Sequence, residues 1–97
     1  MVSSCKISDV REEKNLQVIE IWADPEIVFR VVRLLAKGSE AYGLESSVIY
    51  DLEHAVLYFN PRAADIKRDV TRLLDRVREQ EFEEWMKAQE LLEGKAA

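Results

Sequence analysis

The chain has little of what builds catalytic, metal or disulfide-bonded sites. Its 97 residues include one cysteine, one histidine, three glycines and two prolines. A single thiol, Cys5, closes no disulfide within the chain and falls short of the paired cysteines of a zinc site. It reads as a plain thiol in a polar arm. His54, the sole histidine, excludes a histidine metal cluster and any relay between two histidines. Gly38, Gly43 and Gly94 are scattered, so no glycine-rich loop is available to cradle a phosphate. No apolar run approaches the ~20 residues that cross a bilayer. The first residues lack an apolar stretch of the signal-peptide kind. A cytoplasmic protein without metal, cofactor or membrane span is expected. Amides are also few (Asn15, Asn60, Gln17, Gln80, Gln89), which leans toward a thermophile composition.

What is present points to one small folded domain. Apolar residues make up 47% and charged residues 34%, which is globular rather than disordered. At this length the core is modest, and a partner or a second copy is a common source of extra stability. The formal net charge of −5 argues against a general nucleic-acid binder, because phosphate binding is mostly electrostatic.

Hydrophobic periodicity orders the elements. Residues 1–15 are polar and mixed in charge, and read as a flexible arm ahead of a single domain over 16–97. Leu16–Ala23 is β-branched and aromatic, with Ile19 and Ile21 on one face and Val18 and Trp22 on the other. Asp24-Pro25-Glu26 is a helix start, since Asp24 can accept orphan N–H groups and Pro25 has none to lose. Ile27, Val31, Leu34 and Leu35 then recur at helical spacing up to Gly38. Ser46–Leu52 and Ala55–Asn60 read as a hairpin around Glu53-His54. Asn60-Pro61 repeats the cap-and-proline pattern, and no residue breaks a helix from there to about Glu93. The expected fold is α+β, in the order βαββα. A three-stranded antiparallel sheet carries two helices on one face, and the long C-terminal helix overhangs from about residue 79.

Candidate chemistry is sparse. His54 beside Asp51 and Glu53 would make a lone acid–base pair, but a turn tip offers no cavity to desolvate a substrate. The domain is expected not to be an enzyme. Charge is divided along the last helix. Residues 62–78 hold six bases against three acids, a net of +3, and residues 79–93 hold one base against six acids, a net of −5. Arg68, Arg72 and Arg76 stand four apart and make a candidate RNA-contacting ridge. The plainer alternative is pairing with Asp65, Asp69 and Asp75. Phe82, Trp85 and Met86 lie where the domain's own sheet cannot reach. They either fold back on the arm or Trp22, or form a partner-binding contact, for which their residue types are suited.

The order of the Leu16–Ala23 strand, the Asp24-Pro25 helix, the Val48/Leu57 hairpin and a helix opening Ala63-Ala64-Asp65-Ile66-Lys67-Arg68 resembles the small dimerising subunit of the KEOPS complex (the CTAG/Pcc family). The likeness covers Leu16 to Val77 and is mainly topological. It implies a non-catalytic accessory subunit in the threonylcarbamoyl modification of transfer-RNA adenosine. Such a subunit dimerises and presents its helices to a larger catalytic subunit. Asp69, Arg72 and Asp75 stand where that family carries small residues, and the overhang is longer. The resemblance therefore extends to a divergent paralogue that pairs with the family's small subunit. Homodimer and heterodimer both remain open, as do an RNA-binding module and a small-ligand regulatory domain.

Overall fold

The computed structural model describes residues 5–96. Residues 1–4 of the expected arm and residue 97 at the far end of the overhang lie outside the described residues. Eight elements follow in order: β1 (Lys6–Ile7), β2 (Arg11–Glu13), β3 (Leu16–Trp22), α1 (Pro25–Lys37), α2 (Ser39–Tyr42), β4 (Leu44–Asp51), β5 (His54–Phe59) and α3 (Ile66–Ala96). The α+β class, the antiparallel sheet and the long last helix are as the sequence predicts.

The sheet has five strands, not three, in the order β1-β3-β5-β4 with β2 also paired to β3. The two extra strands come from residues 5–13. They line the same edge of β3, with Ile7 opposite Ile21 and Arg11 opposite Val18. Ser8 bridges the gap between them: its N–H donates to the Glu20 carbonyl at 2.9 Å, and its hydroxyl accepts from the Glu20 N–H at 2.8 Å. A two-residue turn at Lys14-Asn15, both at positive φ, folds β2 back onto β3. That backbone matches the twist of a tight hairpin. Arg11-Glu12-Glu13 has no apolar face, so nothing in its pattern marks a strand. The partner strand supplies the hydrogen bonds that make it one.

The core lies on one face of the sheet. Ile19 and Ile21 of β3 and Ala55, Leu57 and Phe59 of β5 meet Ile27, Val28, Val31 and Leu35 of α1. Ile66, Val70, Leu73, Leu74 and Val77 of α3 close it. Both helices therefore cover the same face. Cys5 packs against this cluster instead of lying in solvent. Burial pushes its thiol above the ordinary value, against the lowering pull of Arg78. A thiol held protonated in this way is a weak nucleophile.

Helix ends differ in how far local sequence dictates them. Pro25 opens α1 and Gly38 ends it, with the Gly38 N–H donating to the Leu34 carbonyl at 3.0 Å. Asp24 occupies the cap position, but its carboxyl makes no capping hydrogen bond. The second cap-and-proline pattern does not start a helix. Asn60 Oδ1 accepts from the Arg62 N–H at 2.8 Å, and the Ala63 N–H donates to the Asn60 carbonyl at 2.9 Å, so residues 60–63 form a turn. Gln17 explains why the turn wins. Its Nε2 donates to the carbonyls of Asn60 at 3.0 Å and Ala63 at 2.8 Å, holding the segment against β3. Helix α3 then begins at Ile66, after Asp65 at φ +53°, and runs unbroken for 31 residues. Gly43, at φ +75°, ends α2, and a Cβ there would lie 2.9 Å from the Ala63 Cβ. Only glycine fits both the backbone and this close approach.

A helix of that length spans about 46 Å at 1.5 Å per residue. The molecule measures 59 × 24 × 17 Å, and its long axis reflects this projection. Among the described residues, the last fully buried side chain of α3 is Val77.

Candidate interaction surfaces

Three places hold functional side chains. The first is the projecting end of α3. Phe82 is 62% exposed, Trp85 54% and Met86 40%, with Leu91 and Leu92 beside them also exposed. Phe82 and Trp85 stack on each other, with ring centroids 6.2 Å apart. They do not fold back on the described part of the N-terminal segment or on Trp22, which stacks elsewhere. The helix face explains this. At 100° per residue, the stripe of Phe82, Trp85, Met86 and Leu92 is turned by roughly 100° from the buried stripe of Ile66 to Val77. The side of α3 that continues toward α1 carries Glu84 instead. Its Oε2 accepts from Arg30 Nη2 at 2.8 Å, and the guanidinium holds the Glu84 carboxyl below its ordinary pKa. The apolar stripe thus points away from the core.

The second place is the arginine ridge. Arg68 pairs with Asp65 at 3.4 Å and approaches Asp69 at 3.7 Å. Arg72 and Arg76 are exposed and make no ion pair among the described residues. The three lie on one exposed flank of α3, yet Arg68 is largely engaged by its own helix. Lys67 on the same turn holds Asp9, which ties the N-terminal segment to α3.

The third place is the sheet face opposite the helices, whose stacked side chains sequence reasoning did not foresee. Trp22 and His54 are cross-strand partners, and their rings stack at 4.8 Å with a 3° interplanar angle. Tyr50 stacks on the other side of His54 at 5.4 Å. His54 Nε2 lies 2.8 Å from Glu20 Oε1. An ionised carboxylate only accepts, so Nε2 carries the proton. Arg11 Nη1 donates to the other Glu20 oxygen at 2.6 Å. The Arg11 hydrogen bond, then that of His54, lowers the Glu20 pKa. Lys6 sits 5.8 Å over Trp22. This lattice of side chains explains how Val18 and Val56 are buried on a face that no helix covers. His54 is not a solvated turn tip, because its side chain is only 20% exposed. The available signal was two-residue register: Trp22, His54 and Tyr50 align only once the strands are paired.

Among the described residues no three of histidine, cysteine, aspartate and glutamate are grouped to hold a metal. No described helix is long and apolar enough to cross a membrane. A shallow open cleft beside α2 is lined in part by Glu40, Tyr42, Asn60, Arg62 and Asp69, with no histidine or cysteine among its walls. No protein-family model, curated protein or solved structure matches this chain.

Proposed function

We propose that this chain is a non-catalytic accessory subunit that holds another protein with the projecting end of α3. One observation carries the reading. Helix α3 continues well past the last core residue, Val77, and displays Phe82, Trp85 and Met86 to solvent. Large apolar side chains rarely stay exposed in a group without a partner. The topological likeness to the small KEOPS subunit gives the proposal a specific form. The chain, or a paralogue pairing with that subunit, would work in the cytoplasm as a homodimer or heterodimer. It would support a larger catalytic subunit that modifies transfer-RNA adenosine.

The test is the solution mass by light scattering, of the chain alone and with a catalytic KEOPS subunit. A dimer that joins the catalytic subunit supports the proposal, and a monomer that ignores it removes the KEOPS form. A second reading has one observation in its favour: Arg72 and Arg76 stand unpaired on the +3 half of α3. RNA binding would then fall steeply with salt. It would also weaken when Arg68, Arg72 and Arg76 are replaced by glutamine, and binding unchanged in that variant would end this reading.

A further inference from the structure

The projecting end of α3 is organised as a seam, not a patch. Phe82, Trp85, Gln89 and Leu92 recur at spacings of three, four and three. That is the narrow stripe by which one helix lies along another at a shallow angle. The residues flanking the seam in such a packing are Glu79, Glu81, Met86, Ala88, Glu93 and Lys95. They include three acids and one base. Flanking charges select the partner of a packed helix. One Glu81 oxygen is shielded from water by the chain itself and has no hydrogen-bond partner among the described residues, with the Arg30 guanidinium near enough to interact with its charge. Acids at the C-terminal end of a helix also oppose its dipole, a cost that nearby cations offset.

We propose that this seam docks a basic amphipathic helix, one whose apolar stripe is flanked by lysine or arginine. The inference rests on the accessory-subunit reading and specifies the chemistry of the partner. A second copy of this chain fits poorly. Two projecting ends laid together would bring three flanking acids from each copy to the contact against a single lysine. Sliding the copy to its basic half would place the apolar seam against Arg68, Thr71, Asp75 and Arg78, the polar residues that continue the same helical line. An anionic membrane surface is repelled by the same acids.

The probe is a synthetic helical peptide of about three heptads, with leucine along the seam and lysine or arginine beside it. Two controls carry the same composition with the stripe scrambled, or the same stripe flanked by glutamate. Binding to the full chain is read by fluorescence anisotropy of the labelled peptide. The basic amphipathic peptide is expected to bind at least about tenfold tighter than either control. The paired replacement Phe82→Ala with Trp85→Ala should remove that preference, as should Glu79→Gln with Glu81→Gln and Glu93→Gln. All these positions lie beyond the core, so both variants should keep the circular dichroism and the denaturation midpoint of the parent.

Equal binding of the scrambled or acidic peptide, or no binding of the basic one, overturns the inference. So does a dimer that dissociates on Phe82→Ala with Trp85→Ala, since the occupant would then be a second copy. Capture of a catalytic KEOPS subunit alongside failure with the basic peptide would overturn this inference alone and leave the accessory-subunit reading standing.

Discussion

The two halves of α3 share one backbone and differ in almost everything else. From Ile66 to Val77 the apolar side chains are nearly all sealed against the sheet and α1, and the surrounding charge is positive. Past residue 79 the apolar side chains face solvent on another side of the helix, and the charge is strongly negative. The difference separates two uses of an apolar stripe. The first half is held by burial, which is the dominant favourable term in folding. The second half gains nothing from the domain's own core, and its helical state leans on continuity with the first, since extending a helix is far easier than starting one.

Substitutions at matched residues should break the comparison open. Leu74→Ala, in the buried half, is expected to cost about 2–4 kcal/mol in urea denaturation, with unfolding still in one step. Trp85→Ala, in the projecting half, removes a larger side chain yet should change stability by less than about 0.5 kcal/mol. A large loss from Trp85→Ala would mean that the projecting half is packed after all.

The anchor of the near half can be tested next. Gly43→Ala places a methyl against Ala63 and forces alanine to positive φ, so a loss of about 1–3 kcal/mol is expected, read as a lowered urea midpoint. Gln17→Leu keeps the bulk but withdraws the donor from the Asn60 and Ala63 carbonyls. It should cost about 1–2 kcal/mol, together with faster amide exchange in residues 60–66.

The smallest effect is expected on the face that α3 does not touch. Glu20 is ionised more readily in the folded chain than in the unfolded one, because Arg11 and His54 bond its carboxylate. A lowered folded pKa means stability that is fully present above the unfolded value of about 4.3. That stability drains away as acid takes the pH down through the folded value. Glu20→Gln should therefore lower stability by about 1 kcal/mol at neutral pH and flatten the acid limb of a stability–pH curve. An acid limb identical to that of the parent would show that the Arg11–Glu20–His54 lattice contributes nothing.

The parts legible in the sequence are those with a local signal. The strand at Leu16–Trp22, the start of α1 at Asp24-Pro25 and its stop at Gly38 all depend on neighbours a few residues away. The alternation of Ala55, Leu57 and Phe59 does too, and so does the overhang of the last helix, which follows from its length. The misread parts are long-range. Residues 11–13 become a strand only because β3 offers an open edge. Asn60-Pro61 turns instead of starting a helix because Gln17, more than forty residues earlier, binds its carbonyls. His54 leaves solvent because Trp22 and Tyr50 arrive on either side of it.

By itself, then, the sequence determined the types and order of the five main elements and the division of α3 into a basic and an acidic half, since periodicity, caps and charge are written along the chain. Only the tertiary structure decided which edge the N-terminal segment joins, where α3 begins, and which way its projecting stripe faces. Those outcomes depend on strand register and on how a helix is rotated against the core, and both are set by contacts between residues far apart in the chain.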